Sequence, residues 1–160
     1  MVRIALYQPD IPSNAGTILR LASCLGIPVD LIEPAGFTLT DKALHRAGLD
    51  YLDRAALYRH VSWDIFLQSE PVDGARLVLA TTKAAKAYTD FAFRPGDIIL
   101  LGRETAGVPD SVHEAATARI TIPMRPEARS LNVAVAAAMI CGEALRQVSG
   151  FASASQAIRS

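Results

Sequence analysis

The sequence lacks several features by which large classes of protein are recognised. It contains two cysteines, Cys24 and Cys141, which are far apart and form no CxxC pair, so it offers neither a disulfide scaffold nor a zinc site. No apolar run reaches the roughly 18 residues that a membrane helix needs. Gln8, Pro9 and Asp10 interrupt the N-terminal apolar stretch too early for a secretion signal. We therefore expect a cytoplasmic protein with no membrane segment and no bound metal.

The sequence also lacks an excess of charge of either sign. Its 160 residues include 16 lysines and arginines and 16 aspartates and glutamates, which gives a formal net charge of zero. This balance argues against a protein that coats nucleic acid by bulk electrostatics, although it allows a local basic patch. Hydrophobic residues make up 51% of the chain, a proportion that indicates a folded domain rather than a disordered segment.

Common catalytic and nucleotide-binding motifs are absent as well. No GxGxxG motif follows the first predicted strand, and the sequence contains neither GxSxG nor HExxH. The stretch GRETAG at 102–107 has the glycine spacing of a phosphate-binding P-loop but continues with Val-Pro instead of Lys-Ser/Thr. The histidines, His45, His60 and His113, are scattered, and we interpret each as a surface histidine or one with a satisfied hydrogen bond.

The sequence does contain a regular alternation of strand-like and helix-like segments. Apolar runs predict strands at 2–7, 29–33, 56–60, 76–80, 97–101 and 119–122. Helical periodicity and capping residues predict helices that begin near Ser13, Thr40, Ser62, Pro109 and Ser130. This alternation predicts an α/β fold with a mainly parallel sheet flanked by helices. We assign residues 1–150 to a single domain and residues 151–160 to a loose C-terminal tail.

Three polar loops directly follow apolar strands. They are QPDIPSN at 8–14, GRETAG at 102–107 and PMRPEARSLN at 123–132. In parallel α/β sheets, ligands bind beyond the carboxyl ends of the strands, on the connecting loops. The sequence therefore predicts one site assembled from three loops that are far apart in the chain.

The same loops carry a resemblance to a known family. LYQPDIPSNAGTILRLA, LLGRETAGVP and ITIPMRPEARSLNVAVAAAM resemble, in order, the three motifs of the SPOUT methyltransferases, and the intervening IEPAGF and HRAGLDYLD match too. The resemblance extends over roughly residues 2–148. The branch that the chain resembles most is that of the small tRNA wobble-position ribose 2′-O-methyltransferases, which have no separate RNA-binding domain.

The resemblance implies a fold, a reaction and a set of partners. The expected fold is an α/β domain with a C-terminal trefoil knot, and the expected assembly is a homodimer in which the partner chain completes each active site. S-adenosyl-L-methionine is the expected donor, with S-adenosyl-L-homocysteine as product. The expected acceptor is the ribose 2′-hydroxyl of tRNA nucleotide 34, a cytidine or uridine, in leucine tRNAs. The alternatives are 2′-O-methylation elsewhere in tRNA or rRNA, and a catalytically silent RNA-binding protein on the same fold.

The resemblance assigns the chemistry to Asn14, Arg20, Glu104, Ser130 and Asn132. Arg20 is expected to act as general base or, because a guanidinium keeps its proton in proteins, to grip a phosphate and orient the hydroxyl. Asn14 is expected to hold the ribose or to order the loop, and Glu104 to accept loop amides or an arginine. Ser130 and Asn132 are expected to contact the methionine end of the cofactor, the hydroxyl, or both, and Ser130 can also cap the long helix.

Further residues are expected to bind the two substrates. Cofactor contacts, largely through backbone groups, are expected at Ala80, Thr81, Gly102, Glu104, Gly107, Ile122, Met124, Ser130 and Leu131. The candidates for RNA binding are Arg20, Arg103 and Arg129. The match departs from the family at Arg103, where relatives commonly have proline. It also departs after Asn132, where many relatives have a second Asn or Ser and this chain has Val-Ala-Val.

Overall fold

The fold is built on one parallel sheet. The computed structural model describes residues 1–38 and 56–152, together with Lys42, Leu44 and Arg46. Its strands are β1 (Arg3–Tyr7), β2 (Val29–Ile32), β3 (Leu57–His60), β4 (Leu77–Ala80), β5 (Ile98–Leu101) and β6 (Ala118–Ile120). They pair in the order β3-β2-β1-β5-β4-β6, and every neighbouring pair is parallel. The predicted α/β class with a mainly parallel sheet is confirmed.

Helices lie on both faces of the sheet. They are α1 (Pro12–Leu25), α2 (Trp63–Leu67), α3 (Asp110–Ala115) and α4 (Val133–Gln147). Lys42, Leu44 and Arg46 also have helical backbone, whereas the rest of the helix predicted after Thr40 lies outside the described residues, as do residues 153–160 of the predicted tail. Within the part of the chain that the structure describes, none of the helices combines the length and hydropathy needed to span a bilayer.

Two hydrophobic cores lie on opposite faces of the sheet. Along β1, Ile4 and Leu6 belong to one core while Ala5 and Tyr7 belong to the other, as the alternation of side chains along a strand requires. The first core includes residues of α1 and α4, and the second includes residues of α2 and α3. Because both faces are covered, β5 is buried at every position, which explains its continuous apolar sequence.

A buried aspartate on β2 is compensated by hydrogen bonds. Asp30 is inaccessible to solvent, and its carboxylate accepts from Nε and Nη2 of Arg3 at 2.9 and 3.0 Å and pairs with Nε2 of His60 at 2.9 Å. A buried charge without such partners would be costly. His60 thus has a satisfied hydrogen bond, one of the two interpretations given above, whereas His45 lies outside the described residues.

The start of α1 differs from the prediction. The capping signal at Ser13 would place that residue before the helix, whereas α1 begins at Pro12 and Ser13 lies within its first turn. Proline is favoured at the first helical position because its fixed φ suits the helix and its missing N–H would have no partner there. By contrast, Ser62 caps α2 as predicted, and its Oγ accepts from the amide of Ile65 at 3.2 Å.

The start of α4 differs as well. Ser130 was the predicted cap, but the cap is Asn132, whose Oδ1 accepts from the amides of Ala134 and Val135 at 2.8 and 3.3 Å. Serine and asparagine are about equally good caps, so the choice between them depends on the tertiary contacts of the loop. Ser130 instead lies in the exposed loop that precedes the helix.

The register of the sheet aligns the loops that follow the strands. Leu6 on β1 pairs with Leu101 on β5, and Leu101 pairs with Ala80 on β4. Ala80 pairs in turn with Ile120 on β6. These four residues form one row at the carboxyl edge of the sheet, so the segments after β1, β5, β4 and β6 leave the sheet side by side.

Candidate active site

A cleft of about 540 Å³ lies beyond this edge of the sheet. Its floor includes side chains at the strand ends, among them Leu79, Leu101 and Ile120. Its walls come from the loops after β4, β5 and β6 and from the first turn of α1. The cleft is therefore lined by all three polar loops that the sequence analysis singled out.

The residues predicted to contact a cofactor all line this cleft. They are Ala80, Thr81, Gly102, Glu104, Gly107, Ile122, Met124, Ser130 and Leu131. Four residues predicted to be catalytic line it as well, namely Asn14, Glu104, Ser130 and Asn132. The structure thus brings together side chains that are more than 100 positions apart in the sequence, such as Asn14 and Asn132, separated by 118 positions.

The loop after β5 folds back on itself beside the cleft. Arg103 and Gly107 exchange two backbone hydrogen bonds, each 2.9 Å long. A Cβ atom on Gly102 would lie 2.9 Å from the carbonyl carbon of Gly107 and 2.9 Å from Cγ1 of Val108. Only glycine can occupy this position without displacing the backbone opposite. The glycine spacing of this segment therefore serves a tight hairpin, which explains why it resembles a P-loop without the P-loop lysine.

A chain of side-chain hydrogen bonds joins the three loops. Asn132 Nδ2 donates to Asn14 Oδ1 at 2.9 Å, and Asn14 Nδ2 donates to Glu104 Oε1 at 3.2 Å. The other carboxylate oxygen of Glu104 accepts from the backbone amide of Asp10 at 2.8 Å. Glu104 therefore accepts a loop amide, as expected, and the amide comes from the loop after β1. Together these bonds tie the start of α1, the loop after β5 and the start of α4 into one unit.

The direction of this hydrogen-bond chain is fixed at both ends. At one end the Glu104 carboxylate can only accept, so Asn14 must turn its amide nitrogen toward it. At the other end the amides of Ala134 and Val135 can only donate, so Asn132 must turn its carbonyl oxygen toward α4. The remaining groups of the two asparagines, one carbonyl and one amide, then face each other with the correct polarity.

Asp10 is held by three consecutive residues of the loop after β5. Its Oδ1 accepts from Nε and Nη2 of Arg103 at 3.1 and 2.7 Å. Its Oδ2 accepts from Oγ1 and the amide of Thr105 at 2.5 and 3.3 Å, while Glu104 holds its backbone amide. The hydrogen bonds from Arg103, followed by that from the Thr105 hydroxyl, lower the pKa of the Asp10 carboxyl below its ordinary value of 3.8. Arg103, a candidate for RNA binding, is thus engaged with a carboxylate.

The Asp10 carboxylate gives stability that depends on pH. Because its folded-state pKa is lowered, this contribution is present above the ordinary value of 3.8 and is lost as the pH falls through the folded-state value. We expect the difference in unfolding free energy between the wild type and Asp10→Asn to be constant from about pH 8 to about pH 5 and to shrink below about pH 4. Urea unfolding at each pH measures this difference, and a difference that grows on acidification would contradict the assignment.

Two of the predicted arginines are exposed but do not line the cleft. Arg20 lies on the exposed face of α1, and Arg129 is exposed in the loop before α4. Neither is among the described residues that line the cleft. Arg20 follows Asn14 by six positions, which corresponds to about 240° around a regular helix, so the two side chains leave α1 in different directions.

The cleft also includes residues that the sequence analysis did not single out as site residues. Lys83 and His113 line it, and Ile11, Ala136 and Ile140 add apolar surface. Lys83 could have been found, because it follows the carboxyl end of a predicted strand. His113 belongs to α3 and Ile140 to α4, and no local pattern indicates that either residue turns toward a ligand site.

The sequence profile of the SpoU rRNA Methylase family matches residues 1–142. The chain belongs to the SpoU methylase family. The match includes all three loops of the cleft and most of α4, so the family resemblance stated above is confirmed over the whole site. The tRNA (cytidine(34)-2′-O)-methyltransferase of Beijerinckia indica is 60% identical to this SpoU methylase over 156 residues, which are 98% of this chain and 98% of that protein.

Solved structures share the fold of this SpoU methylase. One, described as giving structural insights into the 2-OH methylation of C/U34 on tRNA, has a TM-score of 0.89 and 41% identity, and the match covers 94% of this chain and 97% of that one. Another is the SpoU methyltransferase AviRb from Streptomyces viridochromogenes in complex with AdoMet, with a TM-score of 0.81, 27% identity, and coverage of 92% of this chain and 57% of that one. The architecture is that of the SPOUT methyltransferases.

Proposed function

We propose that this chain transfers a methyl group from S-adenosyl-L-methionine to the ribose 2′-hydroxyl of tRNA nucleotide 34, a cytidine or uridine, and releases S-adenosyl-L-homocysteine. The observation that carries the proposal is the hydrogen-bond chain from Asn132 through Asn14 to Glu104, because it makes one site of the three motif loops. The relative that is 60% identical is named as a tRNA (cytidine(34)-2′-O)-methyltransferase, and the structure that is 41% identical is described by the 2-OH methylation of C/U34 on tRNA. Leucine tRNAs are the acceptors we expect.

The cleft is suited to this cofactor. Its volume of about 540 Å³ falls within the roughly 300–1,000 Å³ of small-ligand pockets. Ala80, Ile122 and Leu131 offer apolar surface for a flat base. Ser130 and Asn132 offer polar groups for the amino-acid end. S-adenosylmethionine bound here supplies a methyl group that its sulfonium already activates, and the related AviRb protein was solved with this cofactor.

The residues of the chain orient the 2′-hydroxyl and assist the loss of its proton. Alignment of the oxygen with the methyl group can supply much of the rate, because well-oriented pairs reach effective molarities of about 10⁵–10⁸ M. We assign the contact with the hydroxyl to Ser130 and Asn132, and the positioning of Asn132 to Asn14 and Glu104. Arg20 grips the neighbouring phosphate and polarises the hydroxyl, or accepts its proton. Because arginine keeps its proton in proteins, the orienting role is favoured.

A second copy of the chain is proposed to complete each site. α4 exposes Val135 and Met139, one turn apart and 49% and 38% exposed, and Ile11 and Leu131 are exposed beside the cleft. A group of exposed apolar side chains of this kind is typical of a protein–protein contact. α1, which carries Arg20 on its exposed face, packs against α4. A twofold contact through this face would be isologous, so Arg20 of each subunit would approach the cleft of the other.

Exposed arginines near the cleft are proposed to bind the RNA backbone. Arg129 lies in the loop between β6 and α4, immediately before Ser130, and its side chain faces solvent. Phosphate contacts by arginine are sequence-independent and fix the register of the RNA on the protein. We therefore assign to Arg129 a role in RNA affinity rather than in the methyl transfer itself.

Nucleoside mass spectrometry of tRNA tests the proposed reaction. Purified protein is incubated with total tRNA and isotope-labelled S-adenosylmethionine, and the labelled nucleosides are identified and mapped. We expect labelled 2′-O-methylcytidine or 2′-O-methyluridine at position 34 of leucine tRNAs. Label on the ribose of another tRNA or rRNA nucleotide would replace the wobble assignment, and label on a base would contradict ribose methylation.

Cofactor binding separates an enzyme from a silent RNA-binding protein. A ligand present at 100 times its Kd stabilises the folded state by about 2.7 kcal/mol, so binding in the cleft raises the melting temperature. We expect heat release in calorimetry and thermal stabilisation by S-adenosylmethionine. Neither heat nor stabilisation would favour the silent protein.

Three further expectations of the sequence analysis stay predictions. They are the C-terminal trefoil knot, the assignment of residues 1–150 to one domain with a loose tail at 151–160, and the cytoplasmic location. The knot depends on how the segments after β5 and β6 pass one another, a property that no local sequence pattern encodes.

A further inference from the structure

We propose that Arg103 is a positioning residue that acts through Asp10, and that it is not a contact for the RNA substrate. Arg103 donates from Nε and Nη2 to one oxygen of the Asp10 carboxylate, at 3.1 and 2.7 Å. The edge of the guanidinium formed by Nε and Nη2, one of the two edges that can form a fork on a phosphate, is therefore occupied. The carboxylate also offsets the positive charge that would attract a phosphate.

Asp10 is also held in place by the loop after β2. The amide of Gly36 donates to the carbonyl oxygen of Pro9 at 2.9 Å. A Cβ atom on Gly36 would lie 2.8 Å from the carbonyl oxygen of Asp10, so the two backbones are in direct contact and glycine is required there. Because both its backbone and its side chain are held, Asp10 is a fixed point to which the loop after β5 is attached.

This attachment determines where Glu104 can reach. Arg103 and Thr105 precede and follow Glu104, and both bind the Asp10 carboxylate, so the backbone is anchored on each side of Glu104. From this position Glu104 binds the Asp10 amide at 2.8 Å and Asn14 at 3.2 Å. The bond to Asn14 is the longest link of the chain that leads to Asn132, and we expect it to open first when the anchor is lost.

The two asparagines provide a direct readout of this positioning. The sequence contains only Asn14 and Asn132, so ¹⁵N-asparagine labelling gives side-chain amide signals from these two residues alone. We expect Arg103→Ala and Asp10→Ala each to shift the Asn14 side-chain signals, and Arg129→Ala, the matched arginine control, to leave them in place. Unchanged Asn14 signals in Arg103→Ala would overturn the proposal. This readout needs no methyl transfer, so it stands even if the proposed function fails.

Kinetics provide a second readout that rests on the proposed function. We expect Arg103→Ala to lower kcat about tenfold and to change KM for tRNA less than about twofold, because displacement of an orienting group slows the reaction without removing an RNA contact. In an Asp10→Ala background, Arg103→Ala should have no further effect, since residues that act through one contact are not additive.

The opposite pattern would identify an RNA contact. In that case Arg103→Ala would raise KM for tRNA by the same factor with and without Asp10→Ala, and it would weaken the dependence of tRNA binding on salt concentration. We expect this pattern for Arg129→Ala. Finding it for Arg103→Ala would overturn the proposal. Arg103→Lys, which keeps the charge but loses the fork, covers the case in which Arg103→Ala does not fold. We expect it to lower kcat at an unchanged KM, and a normal kcat in this variant would contradict the proposal.

Discussion

Arg20→Ala is expected to lower kcat about 100- to 1,000-fold, the loss typical of removing one preorganised donor from a reacting oxygen. Arg20 lies on the exposed face of α1, outside the lining of the cleft. The cleft and its hydrogen-bond chain should therefore survive the substitution, and affinity for S-adenosylmethionine should stay within about twofold of the wild type. Single-turnover methylation measures the first quantity and calorimetry the second.

Arg20→Lys is the matched control for this prediction. Lysine keeps the positive charge but not the planar fork of donors, so it can attract a phosphate without fixing the geometry of the hydroxyl. We expect a rate between those of the wild type and Arg20→Ala. If Arg20→Ala methylates tRNA at a normal rate, the catalytic role assigned to Arg20 is wrong.

Asn132→Asp is expected to lower kcat about 100-fold and to lower the unfolding free energy less than Asn132→Ala does. An aspartate at this position still accepts from the amides of Ala134 and Val135, so it still caps α4. It has no donor for Asn14 Oδ1, however, and if Asn14 turned around it would place its carbonyl oxygen against Glu104. One link of the chain must therefore break, and the orientation of the residue next to the hydroxyl is lost.

Asn132→Ala separates the cap from the network. This variant loses both functions, so its unfolding free energy should be about 1 kcal/mol lower than that of Asn132→Asp, the usual value of a helix cap, and its activity should fall as in Asn132→Asp. Urea unfolding and single-turnover methylation of the two variants give the comparison. Wild-type activity in Asn132→Asp would mean that the link between Asn132 and Asn14 is not needed for methyl transfer.

The strands of the sheet could be predicted from the sequence because both faces of the sheet are buried. Strands such as β5 are apolar at every position, and a continuous apolar run between turn residues is a local signal. The first residues of the helices were predicted less accurately. Ser13 and Ser130 are both good capping residues, yet neither caps its helix. α1 begins at Pro12, because proline suits the first helical position. α4 is capped by Asn132, which also contacts Asn14.

Only part of the candidate site could be predicted from the sequence. Parallel strands predict that their following loops meet, and the family motifs identify which loop residues to consider. Neither signal could give the partners of those residues. The attachment of Arg103 to Asp10 joins positions 93 apart. Gly36, which approaches Asp10, lies in IEPAGF, a segment that the resemblance includes without assigning a role to its residues. Such contacts depend on the packing of whole loops, which local patterns do not encode.

Mixing two inactive variants tests the central claim that each active site combines the cleft of one subunit with Arg20 of the other. A dimer of one Arg20→Ala subunit and one Asn132→Asp subunit has one intact site, formed by the cleft of the first and Arg20 of the second. After subunits exchange at equal concentrations, we expect about a quarter of wild-type activity, because about half of the dimers are mixed and each has one of two sites intact. Activity no greater than the sum of the two variants measured separately would contradict the claim.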